Sequence, residues 1–577
     1  MTEDEVFEIA SGGHQEIPDD WMSASQVHPF IYQDPAVIWL EFYGERNGFL
    51  PDKSQYDFMD FISNKARQFE AKYITEQVAE GIRVCGEPFD VRFAEQLRTT
   101  LRLIEKRAPV IVQPALWWAP ERIYGIPDLI IHSTWLERHF PKIITNYERE
   151  SIPANLVSNG SPGSYVVVDL KFTTKLTESE KKKDLQNYAA QLRVYSYILG
   201  HLQGLMPQRC FLITRDRLFD PLQIGVSSVL NTELDHDLAS IRDQFLEIRR
   251  NGAQYAPWRD SIVEANLSVD DERWHTAKLT IAKREFPGGD PALVFQIGQA
   301  AKAELSKMGF VSIESLLAVE AAQISLEKCR GLGPTKSKQI RAILEANRTG
   351  HVVRPVGTRP PAKRPHEFFI DFEYFTNVNV DFERQWPRLE GCEMIFMIGV
   401  GKAIDGVWTF ESFVAKAEDQ AREQEMFNDL VHYLEVQTKG AFLDASQTVL
   451  FHWTSAEVWQ VRRASDRHNL IPDHPLRKLP WFDLQQPFLS APMGIPGAWK
   501  FGLKEISQAL GNLDVKFSVV WPTALEAGLR AMVMGWKAYQ NKEPLETPEM
   551  DLLRKYLEAD CAALSKILNW MRTTSLA

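Results

Sequence analysis

The chain has 577 residues, 44% of them apolar and 25% charged, which fits a globular protein of two to four domains and excludes a disordered or collagen-like one. Its net charge of −12 argues against a surface that is basic throughout, yet local grooves set contacts with nucleic acid, and carboxylates that hold cations make a chain acidic. Five scattered cysteines with no CxxC pair argue against a disulfide framework, a structural zinc site or a cysteine-held cluster. No apolar leader pattern opens the chain, and no run of about eighteen uncharged apolar residues occurs, so a cytoplasmic setting without a membrane span is expected.

In chain order, residues 1–20 read as an acidic tail. Ser23-Ala24-Ser25 reads as a helix start, and residues 65–81 carry Phe69, Tyr73 and Val78 at helical spacing. Short apolar, β-branched runs predict strands at 110–112, 129–131 and 165–168, with an Asn/Ser/Gly/Pro-rich loop over 153–164. An amphipathic helix over 185–202 and a buried strand over 210–214 complete a first domain, 21–265. Residues 266–350 look helical throughout and contain Gly331-Leu332-Gly333-Pro334. Residues 351–366 hold Pro355, Pro360, Pro361 and Pro365 among Arg354, Arg359, Lys363 and Arg364, the composition of a stiff basic linker. A second α/β pattern fills 367–577, with strands expected at 367–371, 394–400 and 448–452. No internal repeat is visible.

Two groups of residues carry chemistry. In the first, Asp169 and Lys171 are two apart at the end of a strand and so share a face. A carboxylate that fixes a divalent cation beside an ammonium that neutralises developing charge suits phosphodiester hydrolysis. Asp128, just before the 129–131 strand, can add a second ligand, and Glu70 a third from an earlier helix. Gln191 and Tyr195, four apart, share a helical face. Asp-x-Lys alone is also common decoration on surface strands.

The ordered set of helical Glu, strand Asp, Asp-x-Lys and helical Gln-x-x-x-Tyr resembles the RecB-like branch of the PD-(D/E)XK nucleases. The resemblance covers about residues 21–255. It implies that Glu70, Asp128 and Asp169 hold the metal, that Lys171 assists catalysis, and that Gln191 and Tyr195 sit beside the site. Many relatives hold an iron–sulfur cluster through four cysteines. Here the early Cys-Pro stretch reads Tyr32-Gln33-Asp34-Pro35 and no later cysteine group follows, so no cluster is expected.

In the second group, Asp371 and Glu373 interrupt the apolar strand Phe368-Phe369-Ile370 on one face, where paired acids repel unless a cation lies between them. Glu457 follows the strand ending at His452, and Tyr556 and Asp560 share a helical face. This order resembles the tyrosine-bearing DEDD exonucleases of the RNase H-like fold. It implies that Asp371, Glu373, Glu457 and Asp560 bind two cations and that Tyr556 orients the attacking water. The resemblance prefers Asp where Glu457 stands, and Asp483 competes for that place. A catalytically silent RNase H-like scaffold is the alternative.

Between the two, residues 305–346 suggest a helix-hairpin-helix in which Gly331 and Gly333 expose backbone N–H groups to a phosphate while Lys336 and Lys338 add charge. An ordinary helix–helix turn fits the residues equally. The tandem order resembles a family of little-characterised bacterial and phage proteins. The expected fold is thus multidomain α/β: a PD-(D/E)XK restriction-endonuclease-like core, a helical segment with a helix-hairpin-helix, and an RNase H-like α/β domain.

The resemblance implies a DNA nuclease dependent on Mg²⁺ or Mn²⁺, exonucleolytic on single strands or ends, in repair, recombination or mobile-element processing. RNA as substrate and a helicase partner stay open. The competing readings are a non-catalytic nucleic-acid-binding scaffold and a nuclease with one working site.

Overall fold

The computed structural model describes residues 1–577 apart from 32–33, 54–56, 157–159, 175–181, 226–231, 255, 261–266, 268–272, 356–359, 388–390, 405, 523–527 and 574–577. Tyr32 and Gln33, Arg359 of the basic stretch and the centre of the 153–164 loop therefore lie outside the described residues. The chain forms two compact units. Unit 1 comprises Met1–Leu50, Ile62–Asn266 and Asp381–Leu389, and unit 2 comprises Pro51–Phe61, Leu267–Val380 and Glu390–Ala577. Among the described residues no helix is long and apolar enough to cross a membrane.

Unit 1 is built on a six-stranded sheet whose strands lie side by side in chain order: β1 (Ile82–Arg83), β2 (Val110–Val112), β3 (Leu129–His132), β4 (Tyr165–Lys171), β5 (Arg209–Thr214) and β6 (Leu222–Gly225). β2, β3 and β4 run antiparallel, whereas β4 and β5 are parallel. A parallel pair needs a long crossover, and the helix Lys182–Gln203 supplies it. The expected strands at 110–112 and 129–131 are present, and the third extends to Lys171, which keeps Asp169 and Lys171 within one strand.

Residues 1–20, expected as an acidic tail, instead hold α1 (Glu3–Ser11). Thr2 and Glu5 form a capping box, three acids occupy the first turn where the helix dipole favours them, and Gly12 closes the helix in the left-handed region. Val6, Phe7 and Ala10 are buried, so an apolar stripe holds α1 in the core despite its charge. Two further helices matter below: α2 (Phe58–Gln77), of which residues 62–77 belong to unit 1, and α3 (Ala94–Glu105). The crossover helix Lys182–Gln203 is α4.

Unit 2 carries a five-stranded sheet of β7 (His366–Phe375), β8 (Met394–Ile404), β9 (Val407–Val414), β10 (Thr448–His452) and β11 (Trp481–Asp483), in spatial order β9-β8-β7-β10-β11. β9, β8 and β7 are antiparallel, while β7, β10 and β11 are parallel. The strand period of two sorts β7 as far as Glu373, where the register shifts. Phe368, Ile370 and Phe372 enter one hydrophobic core, while Phe369 enters a second core on the opposite face. Asp371 and Glu373 continue that second face.

The second core is shared. Ile340, Ile343 and Leu344 of helix α6 (Pro334–Thr349) pack with Phe369 and Phe451 of the sheet and with Leu564 and Ile567 of the long helix α9 (Pro548–Thr573). The stretch 351–366, expected as a linker between separate domains, therefore joins parts of one unit. The apolar face of α6 needs a partner, and the sheet face next to it provides one. Helices α5 (Gln299–Lys307), α7 (Ala456–Arg467) and α8 (Leu503–Leu513) complete the framework used below.

Candidate active sites

In unit 1 the antiparallel register of β3 and β4 ends on the pair Leu129–Val168, so one step further places Asp128 across from Asp169. The Leu170 N–H donates to Asp128 Oδ2 at 2.6 Å, which pins that carboxylate against β4. Lys171 Nζ lies 2.5 Å from Asp169 Oδ2 on the same face. The Asp169 carboxylate is buried and is held between the Lys171 ammonium and the Asp128 carboxyl. The Gln191 amide donates to the Tyr195 hydroxyl at 2.8 Å on α4, and both side chains are buried. Gly125 makes this approach feasible, because a Cβ there would collide with the Tyr195 ring.

Glu70, on α2, joins this group through a residue that has no motif of its own. Gln113, just past β2 with φ of +48°, donates its amide to Glu70 Oε1 at 2.6 Å and its backbone N–H to the Asp128 carbonyl at 2.8 Å. One residue so ties the helical acid to the strand acid. Burial, then the charges of Asp169 and Glu70, raises Asp128 well above the usual carboxylate range. Burial also raises Glu70 against the Gln113 hydrogen bond, with Asp169 adding to the rise. Burial works to lower the Lys171 ammonium, but Asp169 and Asp128 prevail and raise it, so it stays charged. Tyr195 is raised by burial and by Asp169.

In unit 2 the acids come from three elements. Asp371 and Glu373 stand on β7, Glu457 opens α7 after β10, and Asp560 stands on α9 one turn beyond Tyr556. The Asp371 carboxyl is within hydrogen-bond reach of both Glu457 and Asp560. Two glycines on β8 allow the long helix to come this close. A Cβ at Gly399 would sit 3.1 Å from Leu557 Cβ, and one at Gly401 would sit 3.1 Å from Cys561 Cβ and run into the Trp408 ring.

Burial, then the Glu457 charge, raises Asp371 to about 8, and burial takes Glu457 to about 8 as well. Burial followed by neighbouring carboxylates raises Glu373 and Asp560 well above their ordinary values. Tyr556 is raised for the same two reasons.

Asp483 is placed differently. Its Oδ1 accepts the N–H groups of Thr454 at 3.0 Å and Gln485 at 2.8 Å, so it fixes the turn after β10. Glu457, hydrogen-bonded to His452 Nδ1 at 3.2 Å, is the acid that reaches Asp371. Two further residues belong to this site. Trp521 donates its indole N–H to Asp560 Oδ1 at 2.7 Å. Lys504, on α8, places its ammonium 4.6 Å from the centre of the Tyr556 ring and draws down both Glu373 and Asp560. Neither has a local motif around it, since both arrive by tertiary packing.

Among the described residues no three acidic, His or Cys side chains stand in ready coordination geometry. In unit 2 the carboxyls share hydrogen bonds, which is how buried acids relieve repulsion by keeping protons. The donor sets are all oxygen in both units, the class that hard divalent cations take.

Gly331 takes φ of +84° and Gly333 caps α6, with Lys336 in its first turn and Lys338 in its second.

Residues 380–572 match the sequence model of the RNase_H superfamily, a span that holds Glu457, Tyr556 and Asp560 and starts after Asp371 and Glu373. No curated protein matches the chain. The carboxyl-terminal domain is RNase H-like, and such a domain suggests a nuclease-type activity on nucleic acid.

Proposed function

We propose, from the premise of an RNase H-like domain over residues 380–572, that the chain is a divalent-metal-dependent nuclease hydrolysing phosphodiester bonds in DNA. It acts on single strands or ends, in repair, recombination or mobile-element processing. The observation that carries this reading is the convergence of Asp371, Glu373, Glu457 and Asp560 from three elements around a buried tyrosine. Mutual repulsion makes such a group costly as plain structure.

Asp371, Glu373, Glu457 and Asp560 would hold the cations, Mg²⁺ or Mn²⁺. When bound, divalent ions stabilise charge on the phosphoryl oxygens and lower the pKa of coordinated water. The chain's own groups do the rest. Tyr556 shares a hydrogen bond with Asp560 and is positioned to orient a water. Lys504 faces the same acids and offsets charge that builds up on the phosphate.

Unit 1 is proposed as a second nuclease site of the PD-(D/E)XK kind. The succession α3, β2, β3, β4, α4, β5, with only the last two strands parallel, supports this reading, as does Asp128 opposite Asp169. Glu70, Asp128 and Asp169 would hold the cation. Lys171 supplies a fixed positive charge beside the attacked phosphate, and Gln191 and Tyr195 buttress it. Gly331, Gly333, Lys336 and Lys338 are proposed to contact nucleic acid.

End-labelled DNA and RNA, incubated with Mg²⁺ or Mn²⁺, test the proposal. Wild type should cut DNA, Lys171→Ala and Asp371→Ala/Glu373→Ala should each remove part of the cutting, and their combination all of it. Absence of cutting with every metal and both substrates would sink the enzyme reading. Cutting abolished by Lys171→Ala alone would leave unit 2 a scaffold.

A further inference from the structure

Unit 2 has an open cavity of about 440 Å³ where three cationic side chains meet: Arg330 and Lys336 from the two sides of the glycine turn, and Lys500 from the loop before α8. Its other wall is the segment leading into α5, including Val294, Phe295 and Ile297. Among the described residues lining it there is no carboxylate, in a chain whose net charge is −12. The starts of α5 and α6, capped by Gly298 and Gly333 without side-chain caps, add unsatisfied N–H groups nearby. Of the residues expected to contact nucleic acid, Gly331 and Lys336 line this cavity, whereas Lys338 lines a separate groove with Arg341.

The cavity is braced to the acid site. The Phe295 N–H donates to the Trp499 carbonyl at 2.8 Å, and Glu505 Oε1 accepts the N–H groups of Trp499 at 2.6 Å and Lys500 at 2.8 Å. This fixes the loop to the start of α8. Lys500 then faces the cavity, and Lys504, four residues on, faces Tyr556 and the acids. Four residues span at most about 14 Å, which keeps the cavity within a few nucleotides of the acids along one strand.

We propose that this cavity is an anchor for a backbone phosphate of the same strand whose phosphodiester lies at the unit 2 acids. Arg330, Lys336 and Lys500 grip the strand a few nucleotides from the point of cleavage, and the apolar wall carries the adjoining sugar or base. The anchor rests on the reading of unit 2 as a nuclease site, but it binds through its own residues.

Binding separates the two. Full-length protein with Lys171→Ala is titrated with labelled single-stranded DNA, single-stranded RNA and a free mononucleotide, without divalent metal, at several salt concentrations. Against this background, Arg330→Gln/Lys336→Gln/Lys500→Gln should weaken strand binding at least tenfold. It should also flatten the log–log salt slope by about 0.7 for each phosphate-neutralising cation removed. Lys307→Gln, at an exposed lysine outside the cavity, should change neither.

With Mg²⁺, KM should rise in the triple variant while kcat holds. Unchanged strand binding in a triple variant that melts like wild type would overturn the anchor. So would a mononucleotide that binds as tightly as the strand. Weakened binding in a protein that never cuts would keep the anchor and remove the nuclease reading instead.

Discussion

The Lys504 ammonium sits over the Tyr556 ring, 4.6 Å from its centre, on the side where Glu373 and Asp560 also feel its charge. A single cation facing two acids and the phenol is well placed to act on the reaction and poorly placed to act on the fold. Lys504→Ala should lower single-turnover cleavage at the unit 2 site about 10²-fold with little change in KM. Lys504→Arg should recover part of it. A rate within twofold of wild type for Lys504→Ala would remove this residue from the chemistry.

Protons held by the unit 2 acids give the protein a characteristic stability profile. Asp371 and Glu457 titrate at about 8 in the folded chain, against roughly 4 when unfolded. The folded state therefore keeps protons that the unfolded chain releases. Stability from these groups is full below about pH 4 and is lost as pH rises toward 8. Metal-free protein should show a Tm decline across that window, and Asp371→Asn/Glu457→Gln should flatten it. Mg²⁺, which replaces the protons, should raise Tm more at pH 8 than at pH 5.5. Calorimetry with and without EDTA checks both.

Gln113 organises the first site without touching its chemistry. Gln113→Ala should free Glu70 from its anchor and weaken Mn²⁺ binding to unit 1 about 10- to 100-fold. Isothermal titration on a background of Asp371→Ala/Glu373→Ala isolates that site. Gln113→Glu should be worse, since it sets a further carboxylate against Glu70. An unaltered Mn²⁺ isotherm for Gln113→Ala would show that Glu70 is no ligand.

Close packing of β8 under α9 makes a stability prediction. Gly401→Ala brings a methyl against the Trp408 ring and Cys561 Cβ and should cost about 1–3 kcal/mol by overpacking. Denaturant titration measures it. Gly406→Ala, at a turn with open space around it but φ of +82°, should cost less, about 1 kcal/mol from backbone strain alone.

Much of this site was readable because strands advertise their faces. Asp371 and Glu373 fall on the same parity as Phe369, and Phe368, Ile370 and Phe372 on the other, so two faces could be told apart before any fold was known. Asp169 and Lys171 were legible in the same way. Gln113, Lys504 and Trp521 were not, because they reach their sites from loops or helix starts whose position depends on distant packing. The buried helix at residues 3–11 was hidden by its charge, since its apolar stripe is only Val6, Phe7 and Ala10 wide. Between Glu457 and Asp483 the sequence held two candidates, and only the geometry of the turn after β10 shows which acid is occupied by backbone N–H groups.

The glycine-lined seat for α9 also bears on how the protein comes to its folded state. Asp371 and Asp560 meet only after the long helix has docked on β8, and those two stretches are far apart in sequence. Pairings of that kind form late, since loop closure must come before they contribute. A partly folded chain would thus present β7 with its acids but without Tyr556 or Asp560, and the site proposed in unit 2 would be incomplete. The chemistry proposed for unit 2 would then wait on the docking of α9.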